Sequence, residues 1–542
     1  MSRKNTNADQ PRSSVISRRV IIIAASVAAA AIALAALIVW LLSEFYIIDG
    51  GLFRKDTHFV VDKIAYSTDE YFEHDGAVYE KDGYFVLENE VYALSEYFEH
   101  DGASYARSEY FINGAEVYDY ESYFCFDDTV YGKDEYFLLD DTVYELAEWF
   151  EFEGGAYKHS EYFVASDRLY EIKEITLGGR TFMSDVTELD LRDLGIKDIS
   201  VLAGCGRLEK LDLGSDWDGK SSPNRIEDIS ALAELHALKR LDLSFNKISD
   251  ISALSNLNGL EYLNLERNSI VSLEPIAGLV NLTYLDLSGN NENGKGFSDY
   301  APVSGLVRLT HLDISENRIN EQQLSPLADL KDVAWLDLSA LTTIGSSSLD
   351  ISPISGMKEL MTLRINYGAG MVGLDGFEVL ADLAKLKYVS VTYCDITDLS
   401  PLAGLSELEY LNLRHCGYLS DIKPLAELDQ LRFLVLTYTA VNNLEALRGK
   451  TNLEYIDMYT QALKGEPVSD YSPLYTLSGL KVLRLDQWCS EEETRYIKTY
   501  LPECSVYNWD TSWLTYSPEY LDLYSWETFL GAQTDQELSG VN

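Results

Sequence analysis

Aromatic residues between Asp56 and Ile172 recur in a block of thirteen residues that is written nine times without a gap. Position 4 of each block is Phe and position 11 is Tyr, while positions 7 and 8 carry turn-forming pairs such as Asp101-Gly102. An Asp-Gly pair between aromatic and β-branched residues predicts a two-residue hairpin turn. Residues 56–172 are therefore predicted to form nine antiparallel β-hairpins in which position 4 faces position 11.

A single two-stranded hairpin is too small to bury its own aromatic face, so consecutive hairpins are expected to stack along a shared seam of Phe and Tyr rings. Position 3 is Tyr in seven blocks and Trp at Trp149, and it points to the other face of each hairpin. These rings either belong to the packed interior or form a surface that stacks on sugars or a peptide. The blocks are similar to the D-x-x-Y-Y aromatic repeats of bacterial surface proteins.

From Ile175 the hydrophobic spacing changes to LxxLxLxxN, as in LKRLDLSFNKISDISALSNLNG at 238–259, and thirteen such units follow. This spacing is the signature of leucine-rich repeats. Tails such as ISDISAL (248–254) and ITDLSPLAGL (396–405) resemble the internalin-type repeats of bacterial surface proteins. The resemblance covers residues 173–508. It implies a repeat protein of the α/β solenoid class, a leucine-rich-repeat horseshoe whose concave side is a parallel sheet.

Both ends of this region carry sequence signals of their own. The segment 175–191 predicts a leading β-strand rather than a helical cap. Ser490 and Glu493 form a capping-box pattern that predicts a helix ending at Leu501. Residues 504–508 then predict a strand that closes the sheet.

The outward-facing positions of the repeats suggest a binding surface. Leucines at positions 4 and 6 point inward, so positions 3, 5 and 7 point onto the concave sheet. Adjacent strands lie about 4.8 Å apart, which turns each position into a continuous row. Exposed contiguous aromatic residues mark interaction sites. The position-3 row supplies the candidate partner-binding residues: Tyr262, Tyr284, His311, Trp335, Tyr388, Tyr410, Phe433 and Tyr455.

Neighbouring rows add to this surface. Tyr367, Tyr393 and Tyr438 occupy position 8 and Tyr459 occupies position 7. Aspartates fill much of position 5, where they either follow from the common LDLS spelling of the repeat or bind a cation or a basic partner. The position-5 aspartates are Asp190, Asp212, Asp242, Asp286, Asp313, Asp337 and Asp457.

Charge and composition exclude several functions. The net charge of −45, with 88 acidic against 43 basic residues, disfavours binding to nucleic acid or anionic lipid. The sequence shows no catalytic set, CxxC or HExxH pattern, so we expect no enzyme activity, cofactor or metal. Cys394 and Cys416 occupy position 9 and are expected to be buried thiols. Cys489 and Cys504 flank the last predicted helix, and a disulfide between them is an open alternative.

Residues 20–42 form an apolar run preceded by five basic residues and one acid, Asp9. At about 1.5 Å per residue the run is long enough to cross a bilayer, and the preceding charge places residues 1–19 in the cytoplasm. The alternative is a cleaved signal peptide. Residues 43–55 are predicted as a linker, and residues 509–542 form an acidic, aromatic tail to which the sequence assigns no role.

These patterns together predict a single-pass protein of the cell membrane whose bulk lies outside the cytoplasm. The favoured function is non-catalytic recognition of an extracellular or envelope protein by the concave face of the leucine-rich repeats, with the hairpins as a spacer. The alternative is a protein that binds a cell-envelope glycan or the cell wall through the hairpin aromatics.

Overall fold

The computed structural model describes most of the chain after residue 57. The contacts divide the chain into two compact units, Met1–His159 and Ser160–Asn542. The residues described are 58–61, 64–67, 71–75, 77–87, 90–215, 222–291, 296–319, 324–343, 347–367, 373–459 and 467–507.

The thirteen-residue blocks fold as nine antiparallel hairpins, which confirms the prediction. Phe111 pairs with Tyr118 and Ile112 with Val117, so position 4 faces position 11 as expected. The strands are β1 His58–Val61, β2 Ile64–Ser67, β3 Tyr71–His74, β4 Ala77–Glu80, β5 Tyr84–Leu87, β6 Glu90–Ala93, β7 Tyr97–His100, β8 Ala103–Ala106, β9 Tyr110–Asn113, β10 Glu116–Asp119, β11 Tyr123–Phe126, β12 Thr129–Gly132, β13 Tyr136–Leu139, β14 Thr142–Glu145, β15 Trp149–Phe152, β16 Gly155–Lys158, β17 Tyr162–Ala165 and β18 Arg168–Glu171.

The turn chemistry follows from the left-handed backbone that a two-residue hairpin loop needs. Asp101 and Gly102 have φ angles of 48° and 78°, and Asp and Gly are among the residues that tolerate this region best. In the β9–β10 hairpin the loop is Gly114 and Ala115, with only Gly114 at positive φ, 64°. Asn113 therefore ends strand β9, and the loop lies at positions 7 and 8 of the block as predicted.

One row of rings joins the hairpins of the first unit. Phe98 stacks on Tyr105 within its hairpin with ring centroids 5.5 Å apart. Tyr105 then meets the edge of Tyr110, the position-3 ring of the next hairpin, at 5.4 Å. The backbone continues the link, because the Glu109 amide donates to the Ala106 carbonyl at 3.0 Å. The block repeats because each copy contributes one stacked Phe–Tyr pair to a shared row of rings, called the aromatic seam.

The leucine-rich repeats build a parallel sheet of fourteen strands, one from each predicted unit and one that closes the sheet. Four short strands outside this sheet form two further pairs: β27 Arg318–Ile319 with β29 Thr342–Thr343, and β30 Ser348–Asp350 with β32 Gly373–Asp375. The sheet strands are β21 Glu188–Asp190, β22 Lys210–Asp212, β23 Arg240–Asp242, β24 Tyr262–Asn264, β25 Tyr284–Asp286, β26 His311–Asp313, β28 Trp335–Asp337, β31 Thr362–Asn366, β33 Tyr388–Thr392, β34 Tyr410–Asn412, β35 Phe433–Val435, β36 Tyr455–Asp457, β37 Val482–Arg484 and β38 Ser505–Tyr507.

Short 3₁₀ helices follow most strands and explain the Asp-x-Ser spelling of the repeat tails. The Asp250 carboxylate accepts from the Ser252 amide at 2.8 Å, and Asp398 accepts from Ser400 at the same distance. Each aspartate thereby satisfies an amide that the helix start leaves unpaired. These helices are Ser200–Gly204, Ser230–Leu232, Ser252–Leu254, Glu274–Ile276, Ala301–Gly305, Ser325–Leu327, Ser352–Gly356, Phe377–Asp382, Ser400–Leu402, Lys423–Glu427, Glu445–Leu447 and Ser472–Thr476.

The interior is a continuous leucine core beside a ladder of buried amides. Asn246 donates to the carbonyls of Leu213 and Leu243, both at 3.0 Å, which ties one repeat to the one before it. Cys394 and Cys416 take the same position farther along and are fully buried, as predicted. The Cys416 thiol donates to the Val391 carbonyl at 3.3 Å.

The start of the repeat domain differs from the prediction. The segment 175–191 is not a single leading strand but a hairpin, β19 Glu174–Leu177 with β20 Arg180–Met183, followed by β21. The ninth aromatic hairpin also belongs to this second compact unit. Its Phe163 is only 1% exposed and lies under the Arg207 guanidinium at 4.8 Å. Two hairpins therefore close the N-terminal end of the leucine core.

The other end has the predicted helix and strand. Helix α1, Glu491–Tyr500, begins at Ser490, whose hydroxyl accepts from the Glu493 amide at 3.0 Å. The Glu493 carboxylate binds the Tyr475 hydroxyl, so only half of the predicted capping box forms. Cys489 and Cys504 are separate buried thiols, which excludes the disulfide alternative in this structure.

Four predicted segments lie outside the described residues: the cytoplasmic tail 1–19, the apolar run 20–42, the linker 43–55 and the tail 509–542. Within the described ranges no helix has the length and apolar character needed to cross a bilayer.

Candidate binding surface on the concave sheet

The position-3 row of the sheet is a stack of aromatic rings. Tyr262 lies flat on Tyr284 with centroids 4.1 Å apart, and Tyr284 lies on His311 at 4.2 Å. His311 then stacks on Trp335 at 3.9 Å. At the other end the Arg240 guanidinium caps Tyr262 at 3.4 Å. These four rings are called the first stack, and they form one continuous surface over strands β24 to β28.

Thr362 interrupts the row, and a second group of rings begins on the next strand. Tyr388 stacks on Tyr410 at 4.1 Å, whereas Phe433 follows Tyr410 at 6.1 Å with the planes tilted by 34°. Tyr455 is tilted in the same way, 6.5 Å from Phe433. These four rings are called the second stack. The structure thus divides the eight predicted residues into two groups of four.

The stacking changes how the rings meet solvent. We expect position 3 to face outward, yet the flat faces are covered by neighbouring rings and most of the eight are half-buried. Tyr388 and Phe433 are only 5% and 6% exposed. Parts of the row are therefore interior, which corrects the expectation of a fully solvent-facing stripe. What the first stack offers a ligand is ring edges and hydroxyl groups rather than ring faces.

His311 is neutral in this setting. Burial between Tyr284 and Trp335 lowers the pKa of its imidazole to about 3. Its Nδ1 atom is buried and has no hydrogen-bond partner among the described residues. The first stack therefore remains free of imidazolium charge across the physiological pH range.

The position-5 aspartates mainly stabilise the turn that follows each strand. The Asp286 carboxylate accepts from the amide and the hydroxyl of Ser288, at 2.8 Å and 2.7 Å. Asp313 and Asp337 accept from the amides of Ser315 and Ser339 in the same way. This favours the structural interpretation of the LDLS spelling, because each aspartate turns the chain after its strand.

The same aspartates repel one another electrostatically along strands β25 to β28. Asp286 and Asp313 are direct neighbours across parallel strands. Burial raises the pKa of both carboxyls, and the nearby Asp337 raises it further. Glu266 lies beside them, and burial with the repulsion of Asp286 raises the pKa of Glu266 to about 7. Asp337 is relieved by Arg364 at 3.2 Å. The described residues contain no group of three or more ligating side chains that could hold a metal ion.

A second aromatic row lies along position 8 of the C-terminal repeats and ends at Tyr459, which occupies position 7; it is called the position-8 row. Tyr393 stacks on His415 at 4.0 Å, His415 on Tyr438 at 4.3 Å, and Tyr438 meets the edge of Tyr459 at 5.7 Å. Positive φ angles of 58° to 62° at the first three turn these side chains out of the strand direction. The sequence singles out the three tyrosines but misses His415. His415 shares position 8 with Tyr393 and Tyr438, and all three have a left-handed backbone. Tyr367, the fourth predicted residue, is buried instead.

Arg414 lies between this outer row and the second stack. It occupies position 7 on the same repeat as Tyr410 and His415, and its side chain is exposed. No carboxylate of the described residues lies within the 4.0 Å ion-pair distance of its guanidinium. By contrast Arg484 pairs with Asp457 at 2.6 Å and Arg432 pairs with Glu454 at 2.6 Å.

The aromatic rings of the hairpins have a structural role. Tyr97 at position 3 meets the edge of Tyr92 from the preceding hairpin at 5.2 Å, and Trp149 contacts Tyr144 at the same distance with the ring planes tilted by 57°. The position-3 rings therefore join neighbouring hairpins, which favours their interior interpretation. The rings are half-buried for the most part, and Tyr123 is exposed at 36%.

Comparisons with known proteins agree with the repeats seen here. A family profile described as Leucine rich repeat matches residues 237–291. The solved structures most similar in fold include internalin InlF from Listeria monocytogenes, 26% identical over 58% of this chain and 91% of that chain, with a TM-score of 0.45. The InlJ functional domain of the same organism, which includes a cysteine ladder, is 18% identical over 60% of this chain and 73% of its own, at a TM-score of 0.39.

A plant peptide hormone receptor, RGFR1 in complex with RGF2, is 16% identical over 56% of this chain and 60% of that chain, with a TM-score of 0.32. No curated protein matches the sequence. The parallel sheet, the short 3₁₀ helices and the matched repeats make the second unit a leucine-rich-repeat solenoid.

Proposed function

We propose that this protein is a non-catalytic recognition module of the cell surface, anchored by residues 20–42, which binds a protein partner through the aromatic rows of its concave sheet. The observation that carries the proposal is the first stack, in which Tyr262, Tyr284, His311 and Trp335 lie ring on ring outside the leucine core. Such a row is not needed to close the core, because the inward Leu263 and Leu285 already fill it.

The geometry supports a protein rather than a glycan as the partner. Sugars stack on open aromatic faces, and here the faces are occupied by neighbouring rings. Ring edges and hydroxyls suit the mixed polar and apolar surface of a protein, and Tyr and Trp are the residues that dominate such interfaces. Rings already held by their neighbours lose little conformational entropy when a partner binds. The same argument leaves the hairpin rings, which are stacked on one another, as a spacer.

Membrane anchoring is proposed from the sequence. The apolar run 20–42 and the basic residues before it support a helix with its N-terminus in the cytoplasm. The bulk of the chain would then present its negative charge, −45 overall, outside the membrane.

Site-specific photocrosslinking tests which face binds. A benzophenone amino acid replaces Tyr284 in the first stack, and in a matched variant it replaces Val271, which is 59% exposed and lies outside the sheet. We expect the Tyr284 position to capture one protein from intact cells that the Val271 position does not capture. The same set of products from both positions, or none from Tyr284, would contradict the proposal.

A further inference from the structure

Two aromatic rows flank a strip of the concave surface on the C-terminal half of the sheet, and this strip is called the groove. One side is the second stack, Tyr388 to Tyr455, and the other is the position-8 row. The two rows are five residues apart on strands β33 to β35 and four residues apart on β36, at most about 16 Å along an extended chain. Position 5 and position 7 form the floor between them. Neighbouring strands lie about 4.8 Å apart side by side, so this width accommodates the backbone of one extended peptide.

Arg414 is the cation at the centre of this floor. Its neighbours in the position-7 row are Thr392 and Thr437, on the strands to either side. It lies close enough to His415 to lower the pKa of that imidazole, together with burial. Among the described residues it has no acidic partner, although the chain carries 88 acids against 43 bases. Its guanidinium is exposed between the two aromatic rows, where the carboxylate of a partner can reach it.

Thr437 provides a second and independent indication. Its side chain is 4% exposed, and its hydroxyl is buried without a hydrogen-bond partner among the described residues. A buried polar group that is left without a hydrogen-bond partner destabilises the fold. A ligand that lies along the floor could supply the missing hydrogen bond from its backbone.

We propose that this groove binds an extended acidic peptide segment, with a Glu or Asp side chain of the partner paired to Arg414. The guanidinium offers a planar fork that a carboxylate fills through two hydrogen bonds. Side chains on either side of that carboxylate pack against Tyr410 in one row and His415 in the other. Thr437 bonds the peptide backbone. This inference rests on the proposed function, to which it adds the chemistry of the partner.

The surrounding charge selects among anionic ligands. The net charge of −45 repels a polyanion such as nucleic acid at long range. A single carboxylate on an otherwise apolar segment experiences far less of this repulsion and still forms the ion pair with Arg414. Arg364, Arg432 and Arg484 are already neutralised by acids of the chain, so the charge selectivity of the groove depends on one residue.

The test uses the full chain and two amidated, fluorescein-labelled peptides, Gly-Leu-Tyr-Glu-Leu-Gly-Ser and its twin with Gln in place of Glu. Amidation removes the terminal carboxylate, so that only the side chain differs. We expect tighter binding of the Glu peptide by about tenfold or more, as a charge-assisted pair contributes about 1.5–3 kcal/mol. Arg414→Gln should abolish that preference, and Arg414→Lys should keep part of it because the charge remains but the fork is lost.

The matched control is Arg225→Gln, an exposed arginine outside the sheet, which should bind both peptides like the unaltered chain. Equal binding of the two peptides, no binding of either, or an unchanged preference in Arg414→Gln would overturn the proposal. Displacement of the Glu peptide by an oligogalacturonate that itself requires Arg414 and binds more tightly would assign the groove to an acidic glycan instead. If the protein partner still depends on Trp335 in the first stack, failure here leaves the proposed function standing.

Discussion

Trp335 lies flat on His311, with ring centroids 3.9 Å apart and planes within 8°. The two residues come from adjacent strands and are direct register partners. Flat stacking at this distance means that strand spacing, rather than the leucine core, sets the geometry of the concave surface. It also means that the rings support one another, so a change at one ring alters the surface that its neighbours present.

Removal of one seam ring should loosen the hairpin array without affecting the repeats. Phe111→Ala deletes a ring that contacts both Tyr118 and Tyr120, at 5.6 Å and 4.9 Å. We expect a loss of about 2 kcal/mol for the array, because the ring is only half-buried. The control is Ile112→Ala on the opposite face of the same strand, where the side chain is 47% exposed. Equal effects of the two changes in thermal melts would show that the seam is misassigned.

The ninth hairpin should behave differently from the others. Phe163 is 1% exposed, stacks on Tyr170 at 5.1 Å and lies beneath Arg207. Gly206 leaves the room for the Tyr170 ring, since a Cβ there would lie 2.5 Å from it. Phe163→Ala should therefore destabilise the leucine-rich repeats by about 3–5 kcal/mol, as expected for a fully buried ring.

Calorimetry of the full chain separates the two cases. The transition of the repeats should shift in Phe163→Ala and stay in place in Phe111→Ala. A repeat transition that is indifferent to Phe163 would mean that the ninth hairpin does not cap the core.

The buried acidic residues of the repeats should make the protein more stable as the pH falls from 8 toward 5. Burial raises the pKa of Glu266 to about 7 and of Asp212 to about 6, above the values near 4 of an unfolded chain. The folded chain therefore binds more protons between those values, and stability increases as the pH falls through them. Neutral His311, whose pKa is lowered, acts in the opposite direction below pH 6.5.

Asp286→Asn isolates this effect. Asn264, the natural residue at the same position of the preceding repeat, accepts from the Glu266 amide at 2.9 Å and donates to Asp242 at 3.1 Å. The variant should keep the turn, lose one buried charge, and melt higher than the unaltered chain at pH 8 with a smaller gain at pH 5. The control is Asp329→Asn at an exposed position, which should leave the melting temperature unchanged at both pH 8 and pH 5. A lower melting temperature at both pH values would contradict the assigned repulsion of Asp286 by Asp242, Asp313 and Asp337.

The topology proposed for the membrane is tested in intact cells. Protease added outside should remove residues 56–542 and leave a fragment with residues 1–19 in the membrane fraction. Complete protection would place the repeats inside the cell. Loss of the N-terminal residues from the mature chain would favour a cleaved signal peptide over the anchor.

Much of the fold follows from sequence because its signals are local and repeated. The Phe111–Tyr118 register depends on the turn position, and the strands of the sheet depend on leucine spacing. The interaction between rings depends on side-chain direction, which the spacing does not specify. For that reason the sequence predicts the row that contains Tyr388 but not its burial, and it misses His415, whose direction is set by a positive φ.

The burial of Tyr388 also changes which residues can test binding. At 5% exposed, its removal should lower stability as well as affinity. Asp337, 3% exposed and paired with Arg364, is likewise a poor probe of salt dependence alone. Trp335, half-buried at the end of the first stack, is the better choice.

The most direct measurement is therefore the affinity of the full chain and of Trp335→Ala for the protein that the Tyr284 crosslink identifies. The account predicts a loss of about 2 kcal/mol, roughly thirtyfold, because aromatic residues in the middle of an interface dominate its binding energy, and Trp335 is the fourth of the eight position-3 rings. The melting temperature should change little, since the ring lies outside the leucine core. Trp488→Ala, a tryptophan outside the two stacks that is 41% exposed, should bind normally. If Trp335→Ala melts normally and binds with unaltered affinity, the aromatic stacks are not the binding surface.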